Sequence, residues 1–181
     1  LRDDPDKPML NRVSTASYPP GSTWKPIIAA IGMEMRALSI DTYMQHPCLG
    51  GLQYGNRFFR CWQSAGHQGL DLSGAITNSC NVFFYQAGQR IGLDGLFAGV
   101  ARLGFGEETG IDLPFEIAGM FPASREWFDQ QYGRRGWTES VVWNLSIGQG
   151  ENQQTLLSMV QFYAALATGE PPIMPHLARL E

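Results

Sequence analysis

The chain has 181 residues, 44% of them hydrophobic, and 13 Lys and Arg against 17 Asp and Glu leave a net charge of −4. That is enough apolar side chain for one buried core, and with no block of like charge it argues against nucleic acid as a partner. No stretch nears the roughly 18 to 20 apolar residues that span a bilayer, the leading LRDDPDKP is polar rather than signal-like, and three cysteines are too few for a disulfide scaffold.

Residues 1–17 read as an irregular polar lead-in. Over 22–38 the apolar positions Trp24, Ile27, Ile28, Ile31, Met35 and Leu38 recur at helical spacing, and Pro26 falls in the first turn, where it removes no intrahelical bond. This predicts a helix with Ser22 at its start. Residues 39–70 carry many glycines, Cys48 and Cys61 but no helical period, which predicts loop with short strands. Two helical pieces follow over 70–77 and 82–91, broken at Asn78-Ser79-Cys80-Asn81. An amphipathic helix through Leu96, Phe97, Val100 and Leu103 comes next, closed by Gly104. The stretch GFGEETGIDLP reads as a turn-rich connector, 141–147 as a short strand, and 155–167 as a strongly apolar, buried helix that leaves through the proline-rich GEPPIMP. Few strands are expected anywhere.

Only Lys7 and Lys25 are lysines, and Lys25 stands three residues after Ser22 in YPPGSTWKPI. On a helix, residues three apart share a face, so a serine nucleophile and a lysine base can meet there. The lysine serves as base only if burial lowers its pKa toward neutrality, and Trp24, Pro26 and Ile28 supply an apolar surround. The plainer reading is a capping serine and a solvated first-turn lysine, since a bare S-x-x-K recurs by chance. Ser79-Cys80-Asn81 adds an S-x-N triplet, in which a second hydroxyl can relay a proton and an amide can hold a carbonyl. Alone, that triplet is equally an ordinary Asn/Ser turn.

Taken together and in order, PPGSTWKPI, GHQGLDLSGAITNSCNVFFYQAG, GFGEETGIDLP and SIGQGENQQTLLSMVQFYAALATG resemble the transpeptidase domain of class B penicillin-binding proteins of the cell-wall elongation type. The resemblance runs over residues 8–176. It implies an α/β (α+β) serine β-lactamase/transpeptidase-like fold, of which this chain is mostly the helical part. It further implies a D,D-transpeptidase that cross-links peptidoglycan stem peptides ending in D-Ala-D-Ala through an acyl-serine, and a covalent target of β-lactams. Ser22 would be the nucleophile and Lys25 its base, Ser79 a proton shuttle, and Asn81 a hydrogen-bond partner of the donor peptide's amide. The implied location is the periplasmic face of the bacterial inner membrane, with a glycosyltransferase and elongation-complex membrane proteins as partners of the full-length protein.

The resemblance also calls for a K-[ST]-G strand, and none occurs in these 181 residues; Ala167-Thr168-Gly169 lacks the cation. Residues 1–181 are therefore expected to be a partial transpeptidase domain without anchor, pedestal or that strand, and to acylate poorly by themselves, since one oxyanion-hole donor alone is worth roughly a hundred- to thousandfold. A serine β-lactamase or a β-lactam-sensing receptor domain shares the S-x-x-K chemistry. The flanks of the S-C-N triplet and the SIGQG segment fit the transpeptidases better.

Cys48, Cys61, His67 and Cys80 form a possible Cys₃His set suited to structural zinc. Some elongation-type transpeptidases resemble this, with zinc bound by the middle residue of S-x-N and an upstream histidine; Cys80 and His67 match that pattern, and Cys48 and Cys61 stand where carboxylates can occur. The alternatives are a Cys48–Cys61 disulfide with Cys80 a buried thiol, three unrelated core residues, or His46 in place of His67.

Overall fold

The structure is a computed structural model that describes residues 4–177, so residues 1–3 of the predicted lead-in lie outside it. Among the described residues helices dominate and strands occur as two short pairs. The turn at Pro20-Gly21 opens into a 3₁₀ turn over Gly21–Trp24 and then α1, Lys25–Glu34. The helix predicted over 22–38 is therefore shorter at both ends. Ser22 lies in the 3₁₀ turn and makes no side-chain cap, which leaves its hydroxyl available to Lys25. At the other end Arg36 adopts a left-handed backbone (φ 56°), and the chain doubles back so that Ala37 and Leu38 both donate to the Gly32 carbonyl. Leu38 reaches the core from a turn rather than from a helix.

In the aperiodic stretch, two strands form a hairpin over Gly51–Tyr54 and Arg57–Arg60. Next come α2 (Leu72–Thr77), whose first turn is capped by Asp71, α3 (Asn81–Ile91) and α4 (Leu93–Arg102). The interruption at 78–81 falls where the sequence places it. Helix α3 is the centre of the molecule, with Val82, Phe84 and Ala87 fully buried and α1, α4 and a later helix over Val141–Ser146 against it. A helix over Arg125–Tyr132, α5, has no counterpart in the sequence expectations; Arg125 ties it to Asp94 and Glu139 at the surface.

The strand predicted over 141–147 is a helix, α6, Val141–Ser146. Its two valines favour a strand, but Val142, Trp143, Leu145 and Ser146 bury in pairs at helical spacing, and Trp143 stacks on Tyr85 at 5.2 Å and 9° between ring planes. Tertiary packing outweighs intrinsic preference here. The crossing of α6 over α3 needs Gly88: a Cβ there would sit 1.7 Å from Ser146 Oγ and 2.8 Å from its Cβ. Gly88→Ala is expected to destabilise the protein by about 1–3 kcal/mol through overpacking, read as a lowered urea midpoint at unchanged slope.

Residues Ser17–Tyr18 and Gln154–Thr155 form a two-residue antiparallel pair that joins the segment before the 3₁₀ turn to the start of α7, Leu156–Thr168. The expected burial of α7 holds on one side only. Leu157 and Phe162 are buried, Phe162 against Phe105, whereas Val160 is 63% and Leu166 55% exposed. An apolar composition all round a helix does not say which face is covered. Gly169 closes α7 in a left-handed conformation, as the GEPPIMP exit predicts. No helix among the described residues is long and apolar enough to cross a membrane.

Candidate active site and metal cluster

Ser22, Lys25, Ser79 and Asn81 converge on one atom. Lys25 Nζ lies 3.2 Å from Ser22 Oγ, 2.9 Å from Ser79 Oγ, 2.7 Å from the Ser79 carbonyl and 2.7 Å from Asn81 Oδ1. Each element contributes for a local reason. The 3₁₀ turn and first turn of α1 put Ser22 and Lys25 on one face. Gly148 docks against that turn: Gly21 N–H donates to the Gly148 carbonyl at 2.9 Å, and a Cβ on Gly148 would lie 2.3 Å from Gly21 O. Trp24, fully buried between Phe105 and Phe121, anchors the turn to the core. Ser79 and Asn81 come from the α2–α3 break, where Ser79 adopts a left-handed backbone (φ 50°).

Lys25 is buried at 1% exposure. Burial lowers its ammonium from 10.5 to about 8, with Cys61 and Cys80 pulling the other way. A neutral amine has two N–H groups and one lone pair. The Ser79 carbonyl and Asn81 Oδ1 only accept, so they take the two N–H groups. The lone pair is left for a proton from the Ser22 or Ser79 hydroxyl. This is a serine with a base in reach, the base oriented by two fixed acceptors. Lys25 is not the solvated first-turn residue of the plainer reading.

The second cluster begins one residue from Ser79. Ligand atoms of Cys48, Cys61, His67 and Cys80 all lie within 4.8 Å of one another, and the three cysteines are free. A tight loop brings them together: Cys48 and Gln68 exchange both backbone hydrogen bonds, and Cys61 N–H donates to the Gly50 carbonyl. His67 Nδ1 stands 3.6 Å from both Cys48 Sγ and Cys61 Sγ. A zinc tetrahedron with bonds of about 2.0–2.3 Å has edges of roughly 3.5–3.8 Å, so the two 3.6 Å nitrogen–sulfur spacings fit. Burial raises the Cys80 thiol to about 12. Burial also raises Cys61, but backbone N–H donors of Gln63, Asn81 and Val82 and the Cys48 thiol leave it lowered overall. His67 Nε2 is buried with no hydrogen-bond partner among the described residues. His46 is elsewhere, its backbone N–H and carbonyl both bonded to the Gln86 side chain.

Sequence reasoning missed three neighbours of the S-C-N triplet: Trp62 bonds the Ser79 carbonyl, and Asn81 and Tyr85 both donate to the Arg60 carbonyl. The only signal for them was an aromatic beside Cys61 in a loop without periodicity.

The family described as penicillin binding protein transpeptidase domain matches residues 2–180. The chain belongs to the penicillin-binding protein transpeptidase family. Among its relatives, peptidoglycan D,D-transpeptidase MrdA of Acinetobacter baumannii is 33% identical over 179 residues, 99% of this chain and 26% of that protein. A crystal structure of Pseudomonas aeruginosa PBP2 in complex with WCK 5153 superposes with a TM-score of 0.89 at 35% identity, covering 99% of this chain and 40% of that one. PBP2 of Helicobacter pylori, in its complex with MreC, gives 0.88 at 33% identity, covering 97% and 32%. The chain thus spans about a quarter of the length of the curated MrdA relative, and its helix-rich architecture is that of the helical part of penicillin-binding transpeptidases.

Proposed function

We propose that this chain carries the nucleophile and base of a peptidoglycan D,D-transpeptidase of the elongation type, acting at the periplasmic face of the inner membrane. The observation that carries the reading is the single amine of Lys25 held among Ser22, Ser79 and Asn81. Ser22 Oγ attacks the carbonyl between the two D-alanines and passes its proton to Lys25 Nζ. The proton then returns through Ser79 Oγ to the departing nitrogen, so D-alanine leaves as a neutral amine, its carboxylate unchanged, and an acyl-serine remains. An amine of a second stem peptide attacks that ester, its proton travelling the same route back to Ser22. Asn81 holds the lysine with Oδ1 and presents its amide side to the donor peptide. A β-lactam carbonyl enters the same path but leaves its nitrogen tethered, which prolongs the acyl state. A sensor domain or a β-lactamase is less well supported, because the three relatives described above, each matching 97% or more of the chain, are named as a D,D-transpeptidase or as PBP2. The named Helicobacter complex favours an MreC-like protein as one partner of the whole protein.

Cys48, Cys61, His67 Nδ1 and Cys80 would hold a zinc ion, which at four protein ligands supplies folding energy rather than a reaction site. The soft donor set and the 3.6 Å nitrogen–sulfur spacings support this.

Incubation of the full-length protein carrying this chain with fluorescent penicillin tests the assignment. Labelling is expected to vanish in Ser22→Ala at unchanged melting temperature. Labelling that persists in that variant removes Ser22 as the nucleophile.

A further inference from the structure

Arg60, Cys61 and Trp62 run opposite to the S-C-N triplet and meet it rung by rung. The Arg60 carbonyl accepts from Asn81 Nδ2 at 3.4 Å and from Tyr85 Oη at 2.9 Å. Cys61 shares the thiol cluster with Cys80. Trp62 Nε1 donates to the carbonyls of Asn78 at 3.1 Å and Ser79 at 3.2 Å. The indole is 63% exposed, so burial of its ring is a minor part of what fixes it. Its polar end is committed to the turn that carries the proton-shuttling serine.

That turn needs holding. Ser79 is a non-glycine residue at φ 50°, a strained conformation that persists only where its surroundings hold it. Its carbonyl has two donors, Lys25 Nζ and Trp62 Nε1. The lysine gains and loses a proton during the reaction, and its hydrogen bonds must rearrange as it does. The indole N–H is the same in every protonation state.

We infer that Trp62 is a positioning residue: its indole N–H holds the Ser79 backbone in the left-handed turn, so that the Ser79 carbonyl keeps one N–H of neutral Lys25 and the lone pair stays aimed at the hydroxyls. This role rests on the assignment of Ser22 and Lys25 as nucleophile and base. The strap also links the metal loop to the reacting groups, because Cys61 immediately precedes Trp62.

Benzothienylalanine at position 62 keeps the shape of the bicyclic ring and lacks the N–H; Trp62→Phe lacks both the N–H and the second ring. Acylation of the full-length protein by a chromogenic β-lactam separates the maximal acylation rate from the half-saturating concentration. Losing this hydrogen bond is expected to lower the maximal rate about three- to tenfold in the benzothienyl variant, with the half-saturating concentration and melting temperature unchanged, and at least as far in Trp62→Phe. A maximal rate equal to that of the natural protein in the benzothienyl variant overturns the inference. So does a change confined to the half-saturating concentration, which would make the ring a substrate-contacting surface. Failure of the underlying assignment has a different signature, namely labelling that persists in Ser22→Ala whatever stands at position 62.

Discussion

Replacing Lys25 with methionine is expected to slow β-lactam acylation by about 10²–10⁴-fold, the range typical of a removed general base. Methionine keeps an apolar stem of similar length in the buried slot, so the loss falls on the amine. It also takes the lysine donor from Asn81 Oδ1 and leaves the Ser79 carbonyl with the Trp62 indole, and the melting temperature should fall by a few degrees. The pH profile carries the same information in the natural protein. On the proposed assignment the base is the free amine, and burial places its pKa at about 8 instead of 10.5. Below that pH the ammonium dominates and cannot accept a proton; above it the amine is free. The acylation rate should therefore rise with pH through an inflection near 8 and level off by about pH 9. A rate that is flat between pH 6 and 9, or one still climbing toward 10.5, contradicts a buried lysine base.

The second large effect is expected from metal. Protein purified without added metal should contain one zinc per chain, and a strong chelator should lower its melting temperature by about 7–20 °C. The magnitude follows from apparent structural-zinc affinities of about 10–16 kcal/mol, of which even a third shifts a domain of this size by about 2–4 °C per kcal/mol. Cys80→Ser should release the metal. Because Cys80 lies between Ser79 and Asn81, that change should also slow acylation, whereas Cys48→Ser, remote in sequence from the triplet, should act mainly through stability. Less than a few tenths of a zinc per chain, with unchanged melting in chelator, removes the site.

Residue chemistry was legible in the sequence wherever function forces a local pattern. Ser22 and Lys25 at a spacing of three, and Ser79 and Asn81 at a helix break, are local arrangements, and the structure brings all four to one nitrogen. The cysteines were readable as a set because thiols are rare here and the loop between them had no other organising principle. Strand against helix at 141–147 was not legible, because what decides it is the depth of the groove that Gly88 leaves on α3, a property of a different segment. The half-exposed state of α7 was hidden for a related reason: hydrophobicity tells that a face can be covered, and only neighbours tell whether it is. Trp62 was missed because its function lies in one N–H aimed at a carbonyl 17 residues away in sequence.

The central claim is that Ser22, activated by Lys25, is the atom that becomes acylated, and peptide mapping after brief exposure to penicillin tests it most directly. Trypsin does not cleave before Pro26, so Ser22 and Lys25 stay together in the peptide 13–36, while Ser79 lies in the peptide 61–90. The penicilloyl mass should appear on 13–36, at Ser22 on fragmentation, and should be absent from that peptide in Lys25→Met at the same exposure. The adduct on 61–90, or on 13–36 at undiminished yield in Lys25→Met, would contradict the account.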